Sequence, residues 1–300
     1  MMLRRLFLIS TSLLLIAALV AGGVMLANDW NFSDLRREAR IALGLPKFWN
    51  TNFHEDVSSK TVIDCPSRDA LVIVTGGQSN AANSYGDVDS TETDPQLAMV
   101  HGGKCYALES PVLGATARGE SLWPRLGQAL ANRYDRPVVF INGAVGTTQV
   151  SDWLDDRSGY LERINSSISD AQQLGYQPNL VLWIQGETDA GIKVDPEAFK
   201  NDFESLIGKV DSVIAKGGAA ADWVLYRSSY CKGRENNGPE LEAAIAQLTE
   251  EKGDRLYLGP TLTPYDDTYR WDGCHLNRKG RDRLIEDTMA FLEANNSLVE

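Results

Sequence analysis

The chain has 300 residues, of which 43% are hydrophobic and 23% are charged, an ordinary composition for a globular protein. Its formal net charge of −12 argues against a nucleic-acid partner or an anionic lipid surface, because binding to phosphate groups needs a basic protein surface. The length allows one large α/β domain with appended segments, or two smaller domains.

The first thirty residues differ in kind from the rest. Arg4 and Arg5 precede an apolar run, residues 6–27, that contains no charged residue. As a helix this run would span about 33 Å, enough for a hydrocarbon core of about 30 Å. Because a cleaved signal peptide usually has a shorter apolar run, we expect a membrane anchor within residues 1–30, with a cleaved signal peptide as the alternative. In either case the arginines should stay in the cytoplasm and the remaining chain should lie outside it, periplasmic or extracellular.

The rest of the chain reads as a connector followed by one domain. Residues 31–60 are predicted to form a juxtamembrane connector and residues 61–300 a single domain without internal repeats. In that domain short β-branched runs alternate with longer amphipathic segments, which predicts a three-layer αβα sandwich with a five-stranded parallel sheet. The predicted strands are 70–75, 137–142, 180–184, 223–227 and 255–258, and the predicted helices are 122–134, 160–174, 196–216, 239–252 and 278–295.

The four cysteines agree with an extracytoplasmic location. None lies in the apolar run, and no two have CxxC spacing. In an oxidising compartment an even number of cysteines predicts two disulfide bonds. Cys231 should pair with Cys274, since the ends of the fourth and fifth predicted strands should be neighbours. Cys65 would then pair with Cys105.

Polar, glycine-rich segments follow the predicted strands. The carboxyl ends of parallel strands meet at one edge of a sheet, where ligands bind, so these segments should gather at one site. Gly76 and Gly77 should let the chain turn sharply after the first strand and expose Ser79. The segments are 76–80, 143–148, 185–189 and, after a loop, 271–276.

These segments contain candidate residues for nucleophilic catalysis. A serine hydroxyl is a poor nucleophile until a base, usually histidine, takes its proton. Of the three histidines only His275 lies on a strand-end loop, whereas His54 lies in the connector and His101 in a predicted surface turn. Asp272 precedes His275 by three residues, so that one tight turn can bring its carboxylate to the ring Nδ1. The sequence predicts Ser79 as nucleophile, His275 as base and Asp272 as the orienting acid.

Acyl transfer also needs hydrogen-bond donors for the oxyanion that develops in the transition state. The candidates are the backbone N–H of Ser79, the backbone N–H of Gly146 and the side-chain amide of Gln185. Gly146 allows close approach because it has no Cβ, and Gln185 is a polar residue at the end of a buried strand. The residues predicted to support these loops are Gln78, Asn80, Glu187 and Asp189.

The same segments resemble the blocks of the SGNH (GDSL-like) hydrolases, in particular the sialate O-acetylesterase-like carbohydrate esterases. The matching blocks, within residues 68–294, are GGQSN, AVGTT followed by SDW, WIQGETD and DGCHL. The resemblance implies a flavodoxin-like SGNH fold, with Ser79, Asp272 and His275 as the triad and Gly146 and Gln185 as oxyanion donors. It implies a serine esterase that removes O-acetyl groups from carbohydrate (sialic acid, a polysaccharide or another glycan) through an acyl-enzyme, without metal or cofactor. The AVGTT block departs from this branch, which often has a second glycine, so the pocket near Thr147 is expected to differ.

Other functions stay open on the same residues. A lipase or thioesterase would use the same triad, although no apolar lid is evident in the sequence. A catalytically inactive, tethered carbohydrate-binding protein is the alternative from another class, although every expected catalytic position is filled. An α/β-hydrolase is disfavoured because its acid and base lie on separate loops, whereas Asp272 and His275 share one turn.

Overall fold

The computed structural model describes residues 49–89, 94–233 and 237–299. The predicted membrane anchor within residues 1–30 lies outside these ranges, as does most of the predicted connector. Across the described ranges, no helix has both the length and the hydrophobicity to cross a membrane.

Residues Asn50–Glu300 form one compact unit. The end of the predicted connector packs on this unit, because His54 donates its N–H to the carbonyl of Ala115 (2.8 Å) and accepts from the N–H of Gly114 (2.9 Å). Segment 50–55 is therefore part of the folded domain.

The centre of the unit is a seven-stranded sheet. Its strands are β1 (Leu71–Gly77), β2 (Leu97–His101), β3 (Lys104–Ala107), β4 (Val138–Asn142), β5 (Leu180–Gln185), β6 (Asp222–Arg227) and β7 (Leu256–Thr261). They lie in the order β3-β2-β4-β1-β5-β6-β7, and all neighbours are parallel except β2 and β3. The predicted α/β fold class is confirmed, with two strands more than the five predicted.

The two additional strands form a hairpin at one edge of the sheet. Alanine, methionine and lysine in β2 and β3 are weak strand formers, so these strands depend on their neighbours rather than on local preference. Leu97 pairs with Val138 of β4, and Cys105 pairs with Val100. His101, expected in a surface turn, is the last residue of β2 at the tip of this hairpin.

Helices cover both faces of the sheet. In chain order they are α1 (Trp123–Tyr134), α2 (Val150–Leu154), α3 (Tyr160–Gln173), α4 (Glu187–Gly191), α5 (Pro196–Ile214), α6 (Gly238–Lys252) and α7 (Arg278–Ala294). Helices α1 and α7 contact each other on one face, and α2, α3, α5 and α6 pack together on the other. The five longer helices agree with the predicted ones to within two residues at either end.

Two adjacent glycines end β1 for two different reasons. A Cβ on Gly76 would lie 2.1 Å from the ring of Trp183, which crosses it from β5. Gly77 has a φ of +114°, a conformation that favours glycine, and a Cβ there would lie 2.0 Å from the carbonyl oxygen of Ile184. The chain can therefore pass close against β5 and turn out of the sheet immediately before Ser79.

Both predicted disulfide bonds are present. Cys65 is bonded to Cys105, which attaches the segment before β1 to the β2–β3 hairpin. Cys231 is bonded to Cys274, which attaches the segment after β6 to the loop that carries His275.

Candidate active site

A pocket of about 490 Å³ opens beside the end of β1. This strand lies between β4 and β5, where the order of the strands reverses, and ligands bind at such a position in open α/β sheets. Ser79, Gly146 and His275 all line the pocket. The fold thus brings together three of the predicted site residues from segments far apart in the sequence.

Ser79 begins a single 3₁₀ turn, Ser79–Ala81, directly after β1. The residue is 9% exposed, at the base of the pocket. As the first residue of the turn it has no acceptor for its N–H within the turn. The hydroxyl of Ser84 donates to the Ser79 carbonyl and so closes the turn.

Asp272 holds the imidazole ring of His275 by a direct hydrogen bond. Asp272 Oδ2 lies 2.6 Å from His275 Nδ1, and Oδ1 accepts from the N–H groups of Cys274 (2.9 Å) and His275 (2.7 Å). Partial burial raises the pKa of Asp272, but these hydrogen bonds outweigh it and hold the pKa below its ordinary value. With Nδ1 bound to the carboxylate, Nε2 is the ring nitrogen left for the pocket.

The second link of the predicted triad, between Ser79 and His275, is not made between these described residues. Ser79 and His275 line the same pocket, but no hydrogen bond joins the Ser79 hydroxyl to the His275 ring within the described part of the chain. In unliganded sites such bonds are often long and tighten only when substrate is bound.

Asn80 connects the serine turn to the histidine loop. Its Oδ1 accepts from the N–H of Leu276 (3.1 Å), and its Nδ2 lies 3.4 Å from the carbonyl of Cys274. These two groups flank His275 in the chain, so Asn80 fixes the backbone on both sides of the predicted base. Nδ2 also donates to Glu187 Oε1 (2.6 Å).

Buried polar residues, among them those predicted to support the loops, hydrogen-bond to the segments around the pocket. Gln78 Oε1 accepts from the N–H groups of Gly186 (3.4 Å) and Thr188 (3.2 Å) at the start of α4. Glu187 Oε1 accepts from the hydroxyl of Ser228 (2.5 Å) in addition to Asn80. Burial raises the pKa of Glu187, although these two hydrogen bonds oppose the rise.

Arg270 also contacts the histidine loop, at the Cys274 carbonyl that Asn80 Nδ2 approaches. This buried guanidinium donates to the carbonyls of Tyr265 (2.8 Å), Leu262 (2.6 Å) and Cys274. Together with the Cys231–Cys274 disulfide, it anchors the residue that precedes His275.

Gly146 lies next to Ser79, as an oxyanion donor must. A Cβ on Gly146 would be 3.7 Å from the Ser79 Cβ. Its N–H, however, donates to the hydroxyl of Thr116 (2.8 Å), and its carbonyl accepts from Asn50 Nδ2 (3.0 Å). In this structure the Gly146 N–H is thus occupied by a threonine hydroxyl.

Gln185 does not take the predicted position of an oxyanion donor. Its side chain is fully buried, accepts from Trp183 Nε1 (3.0 Å) and donates to the carbonyl of Thr148 (3.2 Å). Residues two apart in a strand point to the same face, so Gln185 shares the face of Trp183 instead of pointing out of the strand end. Its amide is hydrogen-bonded to Trp183 and Thr148 inside the domain, and Gln185 does not line the pocket.

Several pocket residues were not predicted from the sequence. Trp271 is 58% exposed, and its indole ring stacks on His275 with ring centres 5.5 Å apart. Asn50, Thr116 and Arg118 also line the pocket. Trp271 could have been inferred from its place beside Asp272 and His275, but the other three belong to segments whose position depends on tertiary packing.

Comparison with known families agrees with the motifs. Residues 70–217 match the family model described as carbohydrate esterase, sialic acid-specific acetylesterase. The predicted resemblance is confirmed, and with it the enzyme class, a carboxylic ester hydrolase. The matched region includes Ser79 and Gly146, whereas Asp272 and His275 lie beyond its end.

Solved structures of low sequence identity have the same fold. A protein from Arabidopsis thaliana is 17% identical with a TM-score of 0.60, covering 75% of this chain and 98% of that one. NanS is 15% identical with a TM-score of 0.53, covering 77% and 100%. A carbohydrate acetylesterase from Xanthomonas citri is 13% identical with a TM-score of 0.52, covering 74% and 56%. No curated protein sequence matches the chain.

Proposed function

We propose that this protein is a serine esterase that removes O-acetyl groups from a carbohydrate outside the cytoplasm. The observation that carries the proposal is the single pocket lined by Ser79 and by His275, whose ring Nδ1 is bound by Asp272. The family match supports a carbohydrate ester as the substrate class.

The proposed reaction proceeds through an acetyl-enzyme. Ser79 Oγ attacks the carbonyl carbon of the acetyl ester while His275 Nε2 takes the hydroxyl proton. Collapse of the tetrahedral intermediate breaks the ester bond, and His275 returns the proton to the departing sugar oxygen. A water molecule, deprotonated by His275, then attacks the acetyl group, so that acetate leaves and the Ser79 hydroxyl is restored.

Two backbone groups are proposed to stabilise the oxyanion. The N–H of Ser79 has no acceptor within its own turn, and the N–H of Gly146 lies beside it. In the transition state the Gly146 N–H would exchange the Thr116 hydroxyl for the oxyanion.

The location of the enzyme is proposed from two observations. Two disulfide bonds are typical of proteins outside the cytoplasm. Residues 1–30, with two arginines before an apolar run, are proposed to anchor the domain in the membrane. Sequencing of the mature N-terminus should begin at or near Met1, whereas a start near Val24 would show that the segment is a cleaved signal peptide.

Acetate release tests the proposed activity. We expect the full-length protein to release acetate from p-nitrophenyl acetate and from at least one class of O-acetylated glycan, with acetylated sialic acids, xylan and bacterial exopolysaccharides as the panel. The Ser79→Ala variant should lose at least about 10³-fold in kcat/KM on both kinds of substrate. Ser205→Ala, which removes an exposed serine hydroxyl on α5 outside the pocket, is the control and should keep full activity. Equal rates for Ser79→Ala and the wild type would refute the serine mechanism.

A further inference from the structure

A second pocket, of about 680 Å³, lies beside the catalytic pocket. The two pockets are lined by different residues of the same three segments, 50–55, 114–119 and 142–146. Segment 50–55 contributes alternate residues, as an extended strand does when its two sides face different spaces. Facing the second pocket are Thr51, Phe53, Glu55, Gly114, Asn142 and Gly143, and facing the catalytic pocket are Asn50, Asn52, Thr116 and Gly146.

The extended segment 50–55 thus lies between the two pockets, with alternate residues lining each of them. Phe53 forms an antiparallel β-bridge with Thr116, which fixes this segment against the catalytic loop. An elongated ligand that crosses the segment would contact both pockets at once.

The walls of the second pocket offer an aromatic ring together with hydroxyl groups. The Phe53 ring is half-buried, and the guanidinium of Arg163, which pairs with Glu55, lies 3.9 Å from its centre. Exposed or half-buried hydroxyl residues line the same pocket: Thr51, Ser158, Ser166 and Ser167. An aromatic ring beside several hydroxyl groups fits a hydroxyl-rich ligand.

The charges in this pocket restrict the ligand further. The carboxylates of Glu162 and Asp170 line it, and neither forms a salt bridge with the part of the chain that the structure describes. Burial lowers the pKa of His101, which also lines the pocket, so that it adds no positive charge at neutral pH. The Arg163–Glu55 pair is neutral as a whole, and the remaining negative charge disfavours a uronate or sialate group here.

We propose that the second pocket binds an uncharged sugar unit of the same glycan whose acetylated unit lies against Ser79. This second role rests on the proposed esterase function and assigns it a substrate form, an oligosaccharide or polysaccharide. The enzyme should therefore prefer O-acetylated oligosaccharides to acetylated monosaccharides.

Binding of unacetylated hexasaccharides to the full-length protein tests the pocket without catalysis. The probes are cellohexaose, xylohexaose and mannohexaose, with hexagalacturonate as the anionic counterpart, measured by calorimetry. At least one uncharged hexamer should bind, and hexagalacturonate should bind at least tenfold more weakly. Equal binding of hexagalacturonate, or no binding of any uncharged hexamer, would overturn the proposal.

A blocking substitution locates the binding. Ser166 is exposed on α3, lines the second pocket and has no hydrogen bond of its side chain to a described residue, so Ser166→Trp should fill the pocket. It should lower the affinity for the hexamer, and kcat/KM on the acetylated hexamer, at least tenfold. The kcat/KM on p-nitrophenyl acetate should stay within twofold of wild type, which also shows that the variant is folded. Gln173→Trp, exposed on the same helix but outside the pocket, should change neither quantity.

The two proposals can fail separately. Ser79→Ala should abolish acetate release and keep the affinity for the uncharged hexamer. Hexamer binding without hydrolysis of any acetylated glycan by the wild type would refute the esterase function alone. Hydrolysis of acetylated hexamers that Ser166→Trp leaves unchanged would refute the second pocket alone.

Discussion

The hydrogen bonds around Asp272 suit it to orienting the His275 ring. Its two oxygens receive hydrogen bonds from the His275 ring and from two backbone N–H groups. These bonds hold its pKa below the ordinary value, so it is ionised at neutral pH. In the proposed mechanism an ionised partner on Nδ1 both fixes the ring and stabilises the imidazolium that would form when Ser79 is deprotonated.

Asp272→Asn should therefore leave the loop in place and impair its chemistry. An asparagine amide can donate to Nδ1 and so favour the tautomer that carries its proton on Nε2, where a lone pair is needed. We expect kcat/KM on p-nitrophenyl acetate to fall by about 10³- to 10⁴-fold. Asp267→Asn, which removes a carboxylate that pairs with Lys232 nearby, is the control and should keep full activity. A loss of less than tenfold for Asp272→Asn would contradict the orienting role.

Sequence reasoning can best predict roles for residue types that occur only a few times in the chain. With three histidines in the chain, only one of them on a strand-end loop, His275 followed from elimination and from its spacing to Asp272. Gln185 shows where such reasoning ends, because the direction of a side chain at a strand end depends on which face the strand presents to its neighbours. That face is set by Trp183, two residues earlier, which packs among other indole rings.

At the level of elements, the end of β1 depends on backbone conformation. Gly77→Ala would place a Cβ 2.0 Å from the Ile184 carbonyl oxygen at a φ of +114°. We expect it to lower the free energy of unfolding by about 2 kcal/mol or more, as measured by urea denaturation. The control is Gly208→Ala in the middle of α5, where a Cβ would contact nothing within 4 Å. That substitution should raise the free energy of unfolding by up to about 1 kcal/mol. Similar effects of the two substitutions would show that Gly77 is not under this constraint.

Long helices were predicted more accurately from the sequence than short ones. Helices of three turns or more have enough apolar repeats to mark both ends, and α1, α3, α5, α6 and α7 were found on that basis. Helices α2 and α4 each have five residues, too few to show a period. The β2–β3 hairpin was missed for another reason, since its strands are stabilised by pairing with β4 and by the disulfide at Cys105.

At the scale of the whole molecule, the candidate site forms only when the entire domain has folded. Ser79 follows the central strand, whereas His275 lies after β7 at the sheet's far edge, and the contacts of Asn80 bring the two loops together. The order of motifs in the sequence can predict that these loops share an edge of the sheet. It cannot supply the intervening contacts, which are set by the packing of the entire domain.

Asp189 links the stability of the whole molecule to pH. Its side chain is buried, its Oδ1 accepts from the N–H of Val150 (3.0 Å), and its Oδ2 has no hydrogen-bond partner among the residues that the structure describes. Burial raises its pKa to about 7, compared with about 3.9 in an unfolded chain. The folded state therefore binds the proton more tightly than the unfolded state. The resulting stabilisation is complete below about pH 4 and is lost as the pH rises through about 7.

Asp189→Asn should remove this contribution. The asparagine keeps an oxygen for the Val150 N–H and cannot ionise, so the variant should gain stability relative to the wild type as the pH rises. Urea denaturation should show the difference in free energy of unfolding, variant minus wild type, increasing by more than about 1 kcal/mol between pH 5 and pH 8, since one pKa unit corresponds to about 1.4 kcal/mol. Asp156→Asn on the surface should show no such change. A constant difference for Asp189→Asn across this range would mean that the carboxylate is already ionised in the folded protein at pH 5.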